Sequence, residues 1–409
     1  MRLRWLIAQL GRRLWVRAGL FALLGVVSAL LSIWLAPLAP EDVSARIGAD
    51  AVDKILGIIA SSMLTVSIFS LSTMVAAYGA VASGATPRAT QLLQQDSGAM
   101  NALATFIGAF LFSLVGIIAL STGVYGASGR LVLYIVTIAV VVAVVITFIG
   151  WIDRLSRLGR MNETIDRVAE AARDAVMARA RAPSLGGSPA RPVPAGAFAI
   201  VSREIGYVQH VDLAALDALD CAGHIDIVVI PGGFVDDGAP LAFTETLLGD
   251  EAMAAARAAF VIDDRRSFDQ DPRFGVIVLS EIASRALSPA VNDPGTAIDV
   301  LAALARTLAA GSAHAAASPP ETPYPRVHAP AIEPDAMLED CITPIARDGA
   351  GLVEVGLRLQ RTLRVIADRP GYGRPARRLA RSAARRGLAT LTDEDDRDRL
   401  RAETAWLDG

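Results

Sequence analysis

Four stretches of this chain, Ala18 to Leu38, Ile55 to Val81, Ala102 to Val124 and Leu131 to Ile152, contain no charged residue and no histidine. A hydrocarbon core of about 30 Å needs roughly 20 helical residues to cross it, and each stretch is long enough. This excludes an ordinary soluble enzyme and divides the chain into an apolar half and a charged half. The whole-chain mean hydropathy of +0.43 is the average of two unlike parts. A signal peptide is a poor description of the first stretch, because the run is long and Pro40 follows the small residue Ala39. It reads as a retained first helix.

Arginines fix the expected orientation. Arg2, Arg4, Arg12, Arg13 and Arg17 precede the first stretch, and Arg154, Arg157, Arg160 and Arg167 follow the fourth. Basic residues stay on the cytoplasmic side of a membrane, so both ends are expected inside, in keeping with an even number of crossings. The expected address is a membrane, multi-pass, with both termini cytoplasmic. The fold class that follows is a membrane α-helical domain of four transmembrane helices, then a cytoplasmic α+β region with a small β-barrel-like module and helices. Its boundaries are a transmembrane domain over 1–152, a connecting helix over 153–182, and a Pro/Gly/Ser-rich linker over 183–196. A β-module over 197–245, a helical module over 246–308, a low-complexity linker over 309–330 and a C-terminal helical region over 331–409 complete the order.

The second stretch carries a hydroxyl at about every second residue. At about 100° per residue, Ser61, Ser62, Thr65, Ser72 and Thr73 fall within about a third of the helix circumference, a polar face suited to lining a pore. Packing of helix against helix is the alternative. Ser72, Ala76, Ala80 and Gly84 form a small-residue ladder, and Ala104 and Gly108 with Ala109 and Ser113 give the third stretch its own close-packing face, which suits a homo-oligomer in the lipid bilayer and packing within one chain equally well.

Beyond residue 152 the chemistry is sparse. Of 39 basic residues only Lys54 is a lysine, so 38 are arginines and no Schiff-base or biotinyl lysine exists elsewhere. The histidines are His210, His224, His314 and His328, and the cysteines Cys221 and Cys341, none at metal-ligand spacing. No catalytic spacing and no glycine-rich phosphate loop is present, so the expectation is a protein that is not an enzyme, with no cofactor and no metal. A net charge of −3 gives no field for nucleic acid.

Short β-type runs occupy 197–243, and PGGFVDDGAPL has the look of the tight hairpin of biotinyl and lipoyl barrel domains, without the modified lysine. Asp271 with Pro272, Ser288 with Pro289, and Asp293 with Pro294 read as three capped helix starts. Arg266, Arg273 and Arg285, with Asn292 and Asp293, make a candidate site there for an anionic small ligand, against the alternative of caps joined to a structural Arg–Asp network. Arg374, Arg377, Arg378, Arg381 and Arg385 give a later helix one basic face, to be met by the acidic TDEDDRD segment or by inner-leaflet phospholipid.

The hydroxyl-rich second stretch, GYVQHVDLAAL, PGGFVDDGAPLA and the QDPRFGVIVLSEIASRALSPAVNDPGTA string together resemble a bacterial predicted-membrane-protein family, domain of unknown function 2254. The resemblance runs from about residue 15 to 310 and implies membership without an activity. The functional expectation is a passive oligomeric pore with a cytoplasmic regulatory domain; the alternative is a membrane-anchored ligand-binding or scaffold module.

Overall fold

The computed structural model describes residues 49–94, 96–122, 127–219, 223–317 and 319–408, together with 19, 20, 23, 24 and 27. The first expected span and Cys221 lie largely or wholly outside them. The chain forms two compact units, one of residues 1–81 and 90–160, the other of 82–89 and 161–409.

In the first unit, α1 (Ala49–Gly84), the short α2 (Thr90–Gln94), α3 (Ser97–Ser121) and α4 (Ala127–Arg157) carry the second, third and fourth apolar stretches. Their shared core joins Leu56, Ile59 and Met74 of α1 to Ala102, Phe106 and Phe112 of α3 and Leu133, Val140 and Trp151 of α4. The outward faces are as apolar as the core: Ile58, Ile68 and Val75 of α1 and Ile135, Ile146 and Ile149 of α4 are all exposed. Such a surface is stable only against lipid or another protein. Asp96 caps α3 by accepting from the Gly98 amide at 2.9 Å, and Arg154 closes on the same carboxylate at 3.1 Å. The small pair Ala109 and Ser113 is fully buried within the chain, so it packs helix against helix inside the unit.

The expected continuous helix across 153–182 is broken. Gly159 adopts φ +83°, ending α4 and starting α5 (Met161–Arg181) as the first helix of the second unit. There follow β1 (Gly187–Pro189), β2 (Phe198–Val201), β3 (Gly206–Val211), α6 (Leu213–Asp217), β4 (Ile225–Ile227), β5 (Phe234–Val235), β6 (Pro240–Thr244), α7 (Asp250–Ala258) and β7 (Phe260–Asp263). Helices α8 (Pro272–Ala286) and α9 (Pro294–Ala317), strand β8 (Tyr324–Ala329), and helices α10 (Pro334–Asp348), α11 (Val353–Ala367), α12 (Gly373–Thr390) and α13 (Glu394–Glu403) complete it.

The β-module is not a closed barrel. It has an open five-stranded sheet ordered β1-β8-β4-β6-β2 and a three-stranded antiparallel sheet ordered β5-β3-β7, sharing a core of Ile200, Val208, Leu216, Ile225, Leu241 and Val327. Closure fails because β8 enters the larger sheet parallel to both β1 and β4, while β3 is committed to the other sheet. Neither expected linker is one. The 183–196 stretch supplies β1, and 309–330 holds the last turns of α9 and then β8. Alanine is the best helix former, so the alanine-rich run extends α9 instead of ending it.

Helix α9 is long and apolar enough to cross a membrane, as are α1, the α2–α3 stretch and α4. It packs against α5, α8 and α11 within the second unit, burying Val300, Leu301, Leu304 and Leu308. Two glycines set the closeness of this packing: a Cβ on Gly275 of α8 would lie 2.5 Å from the Ala172 Cβ of α5, and one on Gly311 of α9 would lie 2.3 Å from Val176 Cγ1.

Candidate functional site

The five hydroxyls of the expected face stay on one side of α1: Ser61, Thr65 and Ser72 are exposed and Ser62 and Thr73 half-buried, while Ser67 and Ser70, outside that face, turn inward. Ser61 donates to Gly57 O at 3.0 Å, Ser62 to Ile58 O at 2.6 Å, Thr65 to Ser61 O at 3.0 Å and Thr73 to Phe69 O at 2.9 Å. The donor of each is spent on the preceding turn, which leaves the oxygen's two lone pairs able to accept. Lys54, Ile58, Ser61, Thr65, Ile68, Ser72, Val75 and Gly79, spaced alternately four and three residues apart, are all exposed and form one unbroken stripe along the helix. This is the spacing of a helix seam, with small or hydroxyl side chains at half its positions.

The second candidate cluster does not converge. Arg273 pairs with Asp340 of α10 at 2.6 Å, which raises its pKa further above the ordinary arginine value. Arg285 is exposed at the other end of the same helix, about 18 Å of helix away. Asn292 sits in the left-handed region at φ +50°, and Asp293 caps α9, accepting from the Thr296 amide at 3.1 Å and hydroxyl at 2.6 Å. Those bonds hold the Asp293 carboxyl below its usual pKa. Ser288–Pro289 begins no helix: the Ser288 carbonyl accepts from Asn292 N in a turn, there being no room for a helix before Asp293.

Arg266 alone joins a buried centre. Asp271, 1% exposed, caps α8 through the Phe274 amide at 3.2 Å and receives Arg266 Nε at 2.7 Å. Burial lifts the Asp271 carboxyl above its usual range, against the pull of Arg266. A Cβ on Gly232, whose φ is +93°, would fall 2.4 Å from Asp271 Oδ2, so the PGGF turn and the QDPRF segment meet here. The side chain of Gln270 accepts from Val211 N of β3 at 3.0 Å, and its carbonyl accepts from Arg179 of α5 at 3.0 Å. Arg179, which the sequence did not single out, has its pKa pulled down to about 10 by burial, and its Nη1 has no partner. The centre ties strand, turn and two helices together.

A further partnership that sequence did not reveal involves the residues just after α1. Thr86 donates to Glu281 of α8 at 3.2 Å and Arg88 pairs with the same carboxylate, with Ala85 and Ala89 buried beside them. The segment 82–89 thereby belongs to the second unit although α1 runs directly into it.

Of the other histidines, His224 and His328 place ring nitrogens 3.1 Å apart, and among the described residues no group of three metal-ligating side chains forms.

Apolar helices in one unit and an α+β second unit define a polytopic membrane protein with an appended folded region. The chain belongs to the family described as predicted membrane protein (DUF2254), whose model matches residues 11–365. An uncharacterized protein of Mycobacterium tuberculosis (strain ATCC 25618 / H37Rv) is 33% identical over 116 residues, which is 26% of this chain and 22% of that relative. An uncharacterized protein of Mycobacterium bovis shows the same identity and coverage. The aligned region thus spans only about a fifth of the length of these relatives. No solved structure matches.

Proposed function

We propose that the chain assembles with copies of itself into a passive conduit across the bacterial inner membrane, with both termini and the second unit cytoplasmic and the second unit acting as its regulator. The observation that carries this reading is the unbroken exposed stripe on α1. Its lone pairs can replace part of an ion's hydration without the cost of a fixed charge in the membrane, and rings of such groups suffice for modest selectivity. Ser61, Thr65 and Ser72 face the passage in this arrangement, with Ser62 and Thr73 at its flank. No catalytic role and no nucleic-acid partner enters the proposal.

Regulation follows from chain continuity. The Thr86 and Arg88 bonds to Glu281 fix the segment that immediately follows α1 to α8, so a rearrangement of α8 would act on the lining helix through covalent structure. A second reading is favoured by the hydroxyl bonds themselves: with the donors of Ser61, Ser62, Thr65 and Thr73 satisfied by the preceding turn, the stripe can also lie dry against another helix. The protein is then an anchored scaffold without conduction.

Ion flux through protein reconstituted in liposomes separates the two. The conduit predicts current that changes in Thr65→Val and Ser72→Leu. Unchanged current in both, or none under voltage, tension or added anions, leaves the scaffold.

A further inference from the structure

Helix α12 begins beyond residue 365, where the family match ends. At about 100° per residue five of its six arginines, Arg374, Arg377, Arg378, Arg381 and Arg385, share an arc of about 100°. They line one groove of about 890 Å³. Like charges three and four residues apart on a helix repel, so such a row calls for counter-charge.

The protein supplies little of it. Arg378 takes Asp335 and Glu339 of α10 at 2.8 and 2.6 Å. The acidic start of α13, the expected partner of the row, is committed to its own helix: Glu394 to Arg397 and Arg401, Asp396 to Arg399, and Asp398 to Arg401. Arg381 donates to the Leu407 carbonyl at 2.9 Å, and Arg377 lies over the Trp406 ring at 5.7 Å. Arg374 and Arg385 make no hydrogen bond or ion pair among the described residues. Asp408 is the one acidic residue in the lining.

We propose that this groove binds two or more phosphate groups at once, carried on one soluble molecule or on neighbouring lipid headgroups. Arginine's planar fork matches phosphate oxygens in pairs, and the row from Arg374 to Arg385 spans about 16 Å of helix, too long for a single phosphate to satisfy. Anionic phospholipid headgroups at a membrane surface and a soluble polyphosphate compound present the same oxyanions. The site is independent of the conduit reading and stands or falls separately from it.

The test uses the full-length protein in phosphatidylcholine nanodiscs, in two arms. In the first, inorganic pyrophosphate is titrated calorimetrically. In the second, vesicles of phosphatidylcholine doped with phosphatidylglycerol are added and nanodisc co-sedimentation is measured. Binding in either arm should weaken at least about tenfold in the double variant Arg374→Gln/Arg385→Gln, which removes the two unpartnered cations and no internal bond, and should fall with added salt. Arg386→Gln, off the arc, should leave it unchanged. Pyrophosphate binding assigns a soluble ligand; vesicle binding alone assigns the lipid headgroup. The proposal is overturned if neither probe binds, or if the double variant binds as the natural chain does.

Discussion

Glu281, in the middle of α8, is bonded to Thr86 and Arg88, two residues that lie 195 and 193 positions earlier in the chain. The carboxylate is 30% exposed and Arg88 54% exposed, so the ion pair itself contributes about 1 kcal/mol or less. Its consequence is positional. Glu281→Ala should leave the unfolding midpoint of the second unit nearly unchanged but speed tryptic cleavage after Arg88 several-fold, read by limited proteolysis. Cleavage at the natural rate would show that the buried Ala85 and Ala89 hold the segment without it.

The meeting of Gly232 with Asp271 gives a sharper stability prediction. An alanine there puts its Cβ 2.4 Å from a buried carboxylate oxygen, and it must also adopt φ +93°. Backbone strain and overpacking together should cost roughly 2–4 kcal/mol, read by denaturant unfolding. Gly238→Ala, at φ +82° with open space around it, should cost only the strain, about 1 kcal/mol.

The N-cap of α9 should titrate. The Asp293 carboxyl is held below its usual pKa by the Thr296 hydroxyl and amide. A carboxylate depressed in the folded state contributes stability above its unfolded pKa, near 4, and loses it as pH falls through the folded value. Asp293→Asn keeps the capping bond but not the charge, so the stability difference between natural and variant chains should shrink as the pH is lowered below about 4. Asp293→Ala should cost about 1 kcal/mol at neutral pH.

Much of this was legible in sequence where the signal was local. The apolar stretches, the caps at Asp271 and Asp293 and the short β-type runs of 197–243 each rest on a few consecutive residues. What failed rests on partners far along the chain. YPRVHA looks like linker until β1 and β4 offer it backbone bonds on both sides, and the partner of Arg273 is Asp340, 67 residues away. Arg179 gave no sign in an alanine-rich amphipathic helix; its burial is set by the close approach of α5 to Gly275 and Gly311.

Arg179 also carries the last prediction. It is 8% exposed beside a cavity of about 300 Å³ whose other walls include Val176, Ala315, Ile332 and Met337, and its one bond is to the Gln270 carbonyl. Taking a guanidinium out of water costs several kcal/mol, and with Nη1 unpartnered and no carboxylate in direct contact that cost is poorly offset. Methionine has a similar length, adapts to irregular space and needs no partner. Arg179→Met should therefore be neutral or stabilising by about 1 kcal/mol, with the Gln270 carbonyl as the only bond lost. Arg179→Ala deletes the stem as well, enlarging the existing cavity, and should destabilise by roughly 2–4 kcal/mol. Thermal unfolding of the two variants side by side separates packing from charge: if methionine is as damaging as alanine, the cation itself holds α5 to the Asp271 centre, through its attraction to that carboxylate and its bond to Gln270.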